Sequence, residues 1–126
     1  ILATESPEEY KKADLLARNK EIPLFEAESM VFGFSHAEAG GFLLTLWGLP
    51  EPIVEAVTHH HTPMRAESRR FNALAVVHVA NVFEHQMNDF AEGAFIQPID
   101  MEYLSLLSKA EKVDQWKVQL EELGPE

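Results

Sequence analysis

Prolines and glycines divide this chain into segments of helical length, and this punctuation constrains its fold more than any other feature. Proline is favoured in the first turn of a helix, and glycine just beyond the last turn. Pro7, Pro23 and Pro50 therefore predict helix starts, while Gly33 and Gly48 predict helix ends. Between them apolar residues recur at helical spacing, and no segment alternates as a strand does. The sequence predicts an all-α fold, a compact bundle of about six to seven helices in a single domain over residues 1–126.

Two of these helices have a defined apolar face that we expect to be buried. The first helix runs to about Asn19, and its inward residues are Tyr10, Ala13, Leu15 and Leu16. A capping box at Ser35–Glu38 opens the third helix, whose apolar stripe is Ala39, Phe42, Leu43, Leu46 and Trp47. Gly40-Gly41 lies inside this helix, where each glycine costs about 1 kcal/mol relative to alanine. The pair therefore indicates close approach of another helix.

A later segment, roughly Phe71 to Asn88, is apolar nearly all round its first three turns, which is typical of a central, buried helix. After a connector at Gly93–Pro98, Asp100 is expected to cap a short helix that continues to Leu107. Lys112 to Leu123 then predicts a final amphipathic helix. These elements complete the bundle.

The charge balance excludes several kinds of partner. The chain has 21 acidic and 10 basic side chains, a formal net charge of −11. Nucleic acids and anionic membranes bind through lysine and arginine, so neither is an expected partner. Cysteine is absent, which excludes disulfides and thiolate metal sites and fits a cytoplasmic location. The chain begins at Ile1 without methionine, so we expect it to be part of a longer protein.

Six histidines are the side chains best suited to chemistry. His36 lies in the first turn of the third helix, and a triplet, 59–61, closes the fourth, where Thr62-Pro63 must break the helix. His78 is expected to be a hydrogen-bonded core residue, and His85 to be exposed near a helix end. We expect no Asp or Glu beside these histidines on the apolar helix faces, which disfavours a hydrolytic metal site.

Three arginines follow the histidine triplet in a polar loop. Guanidinium groups bind phosphate well, so these residues are the candidates for an anion site: Arg65, Arg69 and Arg70. A solvated loop is the simpler interpretation of the same residues.

Three segments of the chain resemble the HDOD family, the HD-related output domains of bacterial signalling proteins. They are 32–40 (FGFSHAEAG), 46–63 (LWGLPEPIVEAVTHHHTP) and, more loosely, 74–81 (LAVVHVAN). Residues 7–10 (PEEY) also loosely resemble the segment that precedes these in the family. The resemblance extends over about residues 1 to 107, as the C-terminal part of such a domain, and leaves the helix in 108–126 outside. It implies a helical fold of the HD-domain type.

The resemblance also implies which residues correspond to the metal site of HD-type phosphohydrolases. His36 matches the histidine of the family's HxxxG segment, and His60-His61 (or His59-His60) match the paired histidines that follow. Asn81 stands where a late aspartate would be, and the His-Asp doublet would belong before Ile1. These residues are therefore candidates for a vestigial site: His36, His60, His61 and Asn81. No bound metal is expected in this chain.

The resemblance implies a non-catalytic signal-output or interaction module, part of a response regulator or a related protein. The expected partners are proteins and an upstream sensory or receiver domain. Self-association, or a preceding segment that covers apolar surface, is also expected. The alternative is a metal-dependent phosphohydrolase or cyclic-dinucleotide phosphodiesterase that holds iron, manganese or zinc in the full-length protein.

Overall fold

Residues 2–88 and 96–123, which the computed structural model describes, contain eight α-helices and no strand. The helices are α1 (Leu2–Glu5), α2 (Pro7–Lys20), α3 (Leu24–Phe32), α4 (His36–Leu46), α5 (Glu51–His59), α6 (Ala73–Asn88), α7 (Met101–Leu106) and α8 (Val113–Leu123). Two short 3₁₀ turns lie at Pro63–Arg65 and Ala110–Lys112. The predicted all-α fold is confirmed, and residues 93–95 of the predicted connector at Gly93–Pro98 fall outside the described residues.

Local capping chemistry sets the helix ends where the sequence predicts them. The backbone N–H of Glu38 donates to the Ser35 side chain at 3.3 Å, and that of Tyr103 donates to Asp100 at 2.9 Å. Gly33 ends α3 at φ +85°, a conformation that glycine adopts without steric cost. These contacts satisfy backbone groups that helix termini leave unpaired.

The apolar side chains form two separate clusters. The larger one joins α5, α6 and α7, and its fully buried members include Leu74, Tyr103 and Leu104; residues of α8 pack against it. The smaller one lies between α2 and α3 and centres on three alanines, Ala13, Ala17 and Ala27. We call these clusters the main core and the alanine core.

The pair α4–α5 packs closely because of the glycines in α4. A methyl group added at Gly41 would lie 1.8 Å from Thr58 Oγ1, and one at Gly40 would lie 3.0 Å from Val57 Cγ1. Only a residue without Cβ fits at Gly41. The predicted close helix approach at Gly40-Gly41 is therefore confirmed.

Three predictions of burial are wrong. Leu15 faces outward from α2, and the stripe of α4 leaves Phe42, Leu46 and Trp47 exposed. Along α6, Val76 and Val77 are also exposed, so this helix is buried on one side only. An amphipathic pattern identifies an apolar face, but burial also requires another element to cover that face. No helix in the described part of the chain is long and apolar enough to cross a membrane.

Candidate functional site

His36 is held at the start of α4 by a buried carboxylate of α3. The backbone N–H of His36 donates to Glu28 Oε1 at 2.8 Å, and its ring Nδ1 lies 2.6 Å from the same oxygen. Glu28 is only 1% exposed. Because a carboxylate only accepts hydrogen bonds, Nδ1 of His36 carries a hydrogen and its Nε2 points away from Glu28.

His60 and His61 are held at the end of α5 by two different oxygens. Nδ1 of His60 lies 2.7 Å from the Val57 carbonyl oxygen, so it donates and leaves the Nε2 lone pair available. Nδ1 of His61 lies 3.1 Å from Gln97 Oε1. Gln97 Nε2 donates to the His61 carbonyl at 2.6 Å, which fixes the orientation of that amide. Nδ1 of His61 therefore also carries a hydrogen.

The three imidazoles meet in a small space. One ring nitrogen from each of His36, His60 and His61 lies within 4.8 Å of the other two, and the Nε2 atoms of His36 and His61 are 2.9 Å apart. The Phe25 ring stacks on His61 with centroids 4.8 Å apart and planes 11° apart. With both Nδ1 atoms protonated, two Nε2 lone pairs face each other. Both Nε2 atoms are therefore available as electron-pair donors to a cation.

Burial keeps two of these rings neutral near pH 7. Burial, and to a smaller extent the nearby imidazoles of His60 and His36, lower the pKa of His61 to about 3. Burial also lowers the pKa of His60, against the opposing effect of its bond to the Val57 carbonyl. Neutral imidazole is the form that binds transition metals.

A cleft of about 460 Å³ opens beside the histidines. His36, His61, Asn81 and His85 line it, so the structure brings the α6 residue Asn81 to the predicted site. His85 is partly exposed there. His78 lies behind the site as a core residue, fully buried, with Nδ1 2.7 Å from the His60 carbonyl and Nε2 accepting from the Asp100 N–H at 3.0 Å. Its predicted structural role is confirmed.

The arginines lie outside that cleft. The Arg69 guanidinium donates to the carbonyls of Met64, Ala66 and Ser68, so it holds its own loop together. Arg65 lines a second cleft on the other side of His61, and Arg70 is exposed. The anion site stays a prediction.

Glu28 is the functional residue that the sequence reasoning missed, and the expectation that no carboxylate stands beside the histidines is wrong. Glu28 lies in α3 among apolar residues, and the turn at Gly33 brings it to His36, eight residues later. The sequence did contain one indication of this role, a carboxylate within a short and largely apolar helix. Carboxylates that accept from the second nitrogen of a histidine are the usual support for metal-binding imidazoles.

The donor set fits one metal ion rather than two. In residues 2–88 and 96–123, His36, His60 and His61 form the one cluster of three or more potential ligands, and all three are imidazoles. Imidazole suits zinc, iron, copper and nickel, and three histidines form a known set for a single zinc ion. Two-metal hydrolytic centres require carboxylates among their ligands, and Glu28 is already engaged by His36.

Fold and pocket together define an all-α domain with a three-histidine cluster beside a cleft. The HDOD domain family model matches residues 1–63 of this chain. Because the match covers half of the chain, the chain belongs to the HDOD family. The predicted extension of the resemblance to about residue 107 lies beyond this match.

One curated relative is similar over much of the chain. It is an uncharacterized protein of Treponema pallidum (strain Nichols), 26% identical over 82 residues, which are 65% of this chain and 16% of the relative. The chain thus spans about a sixth of that relative's length. No solved structure matches the chain.

Proposed function

We propose that this chain is a non-catalytic output module of a signalling protein, in which a protein partner reads the arrangement of helices around the histidines. Its HDOD membership supports a signalling role. The observation that carries the non-catalytic part is the ligand set, three imidazoles with no carboxylate among them, which does not fit a two-metal hydrolytic centre. An upstream sensory or receiver domain supplies the signal, and the module acts in the cytoplasm.

The pocket offers a route for such a signal because it joins the two cores. Glu28 and Phe25 belong to α3, beside the alanine core, whereas His60 and His61 follow α5, which contributes to the main core. A small shift of α3 therefore changes the Glu28–His36 bond and the Phe25–His61 stack together.

The second candidate is a metal-dependent phosphohydrolase or cyclic-dinucleotide phosphodiesterase. The convergence of three imidazole nitrogens, each with its Nδ1 already held, favours it. His36, His60 and His61 would hold one ion of iron, manganese or zinc. That ion would act as a Lewis acid toward a phosphate oxygen.

Turnover and metal content together separate the two candidates. The chain is incubated with Zn²⁺, Mn²⁺ or Fe²⁺, bound metal is measured by elemental analysis, and hydrolysis of bis(p-nitrophenyl) phosphate and cyclic di-GMP is followed. The proposal expects no turnover above that of the His36→Ala variant under the same conditions. Thermal unfolding reports whether metal binds, because a ligand of the native state raises the melting temperature.

The matched control is His59→Ala, which removes a neighbouring histidine outside the cluster. Metal-dependent turnover that His59→Ala retains and His36→Ala abolishes would establish the enzyme and overturn the non-catalytic proposal.

A further inference from the structure

The α4–α5 pair has an apolar outer surface that no described helix covers. Phe42 and Leu46 are one turn apart on α4 and are 65% and 66% exposed, and Trp47, which follows them, is 69% exposed. Leu49 and Ile53 continue this surface through the Gly48 turn into the first turn of α5, and both are exposed. We call these residues the hairpin patch: Phe42, Leu46, Trp47, Leu49 and Ile53.

The hairpin patch is a concentration of large side chains rather than a scattering of single ones. Single exposed apolar residues are common on protein surfaces, whereas a group with two aromatic rings marks an interaction site. The inner face of the same helices is packed so tightly that Gly41 admits no methyl group. The contact between α4 and α5 is therefore made at Gly41 and Thr58, and the patch residues remain exposed.

The charge around the patch specifies the chemistry of its partner. From residue 21 to residue 64 the sequence contains six glutamates and no lysine or arginine. Glu38 lies one turn before Phe42 on α4, and Glu51 lies between Leu49 and Ile53; both are exposed. The apolar surface thus has carboxylates near both of its ends. Glu38 shares a cleft with Arg65, whereas no lysine or arginine lies within 13 residues of Glu51 in the sequence.

We propose that the hairpin patch docks an amphipathic helix of a partner protein, with an apolar face over Phe42 and Leu46 and lysine or arginine beside Glu38 and Glu51. This inference rests on the proposed function, because it names the partner that an output module would contact. Apolar helix faces docked on such surfaces are a recurrent mode of recognition. A second copy of this chain is a poor occupant, since each copy has a net charge of −11.

The test measures fluorescence anisotropy of labelled 18-residue peptides with the wild-type chain. The first peptide is a Leu/Lys amphipathic helix; a Leu/Glu helix of the same pattern lacks the cations, and a Lys/Ser peptide lacks the apolar face. The patch variant is Phe42→Ser/Leu46→Ser. Its matched control is Val118→Ser/Leu123→Ser, which removes two exposed apolar residues from the acidic helix α8. Circular dichroism verifies that each variant is folded.

We expect the Leu/Lys peptide to bind wild type and the α8 control equally, and the patch variant at least about tenfold more weakly. The other two peptides should bind wild type at least about tenfold more weakly than the Leu/Lys peptide. Equal binding to the patch variant, or equal binding of the Lys/Ser peptide, would overturn the proposal. If the wild-type chain forms a dimer and the patch variant is monomeric, the occupant is a second copy of this chain, and the proposal is also overturned. None of these results depends on the turnover assay, so the two proposals can fail separately.

Discussion

The alanine core and the main core are built from different side chains, although the histidines join them. The main core buries leucine, phenylalanine and tyrosine side chains from α6 and α7 together with Ala56 of α5, and takes up half-buried residues of α8. The alanine core has three buried alanines, with leucine, isoleucine, valine and phenylalanine only partly buried around them. Hydrophobic stabilisation follows the apolar area removed from water, so the main core contributes more of the stability.

This difference indicates which part of the molecule can move. The α2–α3 pair reaches the rest of the protein largely through polar and ring contacts at the pocket, from Glu28 and Phe25. Regions with few buried apolar contacts open at lower free energy than the core. A signal that displaces α3 would therefore act on the less stable part and leave α5–α8 intact.

Replacing a leucine in each core by alanine tests the difference between the two cores, and it has the largest expected effect. Leu104→Ala empties a fully buried site in the main core, and we expect a loss of about 3 kcal/mol in the free energy of unfolding. Leu16→Ala, beside the alanine core, is the matched change at a half-buried site and should cost about 1 kcal/mol. Urea denaturation measures both. Equal losses in the free energy of unfolding would show that the two cores contribute equally to stability.

Gly41→Ala tests how rigidly α4 is joined to α5. The new methyl group would overlap Thr58 Oγ1, so we expect a loss of about 2 kcal/mol despite the better helix propensity of alanine. Gly40→Ala meets only a valine methyl group at 3.0 Å and should change stability by less than about 1 kcal/mol.

Thr58→Ala removes the overlapping oxygen and should restore part of the stability of Gly41→Ala in the double variant. A double variant no more stable than Gly41→Ala would locate the overlap in the backbone instead of the threonine side chain.

The structural features that could be predicted from the sequence are those that depend on residues close together along the chain. The caps at Ser35 and Asp100 and the glycine at the end of α3 are settled within one helical turn, so they could be read directly. The approach at Gly41 was also predictable, because glycine inside a helix is costly without a packing reason.

Features that depend on distant elements were not predictable in the same way. The apolar stripe of α4 gave no indication that Phe42 and Leu46 lack a covering helix. Glu28 was missed because its partner His36 lies beyond a turn whose path only the fold determines. The convergence of His36 with His60 and His61 depends on the same packing. The family resemblance identified these residues as candidates for one site, whereas helical periodicity alone did not predict that they lie together.

Glu28→Gln tests the link between α3 and the histidines. The amide oxygen can still accept from His36, but without the negative charge the bonds weaken, and we expect a loss of about 1 kcal/mol. Glu26→Gln, on the exposed side of the same helix, is the control and should have no effect. Hydrogen exchange should increase in α3 and the first turn of α4 while α6 stays protected. Faster exchange in α6 as well would contradict the separation of the two cores.

The smallest effect is expected at Tyr103, whose hydroxyl is buried without a hydrogen-bond partner among the described residues. Tyr103→Phe removes this unpaired group and should stabilise the main core by up to about 1 kcal/mol. Burial, reinforced by the Glu55 carboxylate, raises the pKa of Tyr103 above its usual 10.0.

Because the pKa of Tyr103 is raised, the difference in stability between the wild type and Tyr103→Phe should also depend on pH. Above pH 10 the unfolded chain loses this proton before the folded one does, so the wild type loses stability as the pH rises there. Below pH 10 this contribution is fully present. Tyr103→Phe should not show this loss, so its stability advantage should grow between pH 10 and 11 in urea titrations. A destabilised Tyr103→Phe would indicate that the hydroxyl is paired, through an internal water, and that the main core includes a polar contact the apolar packing does not reveal.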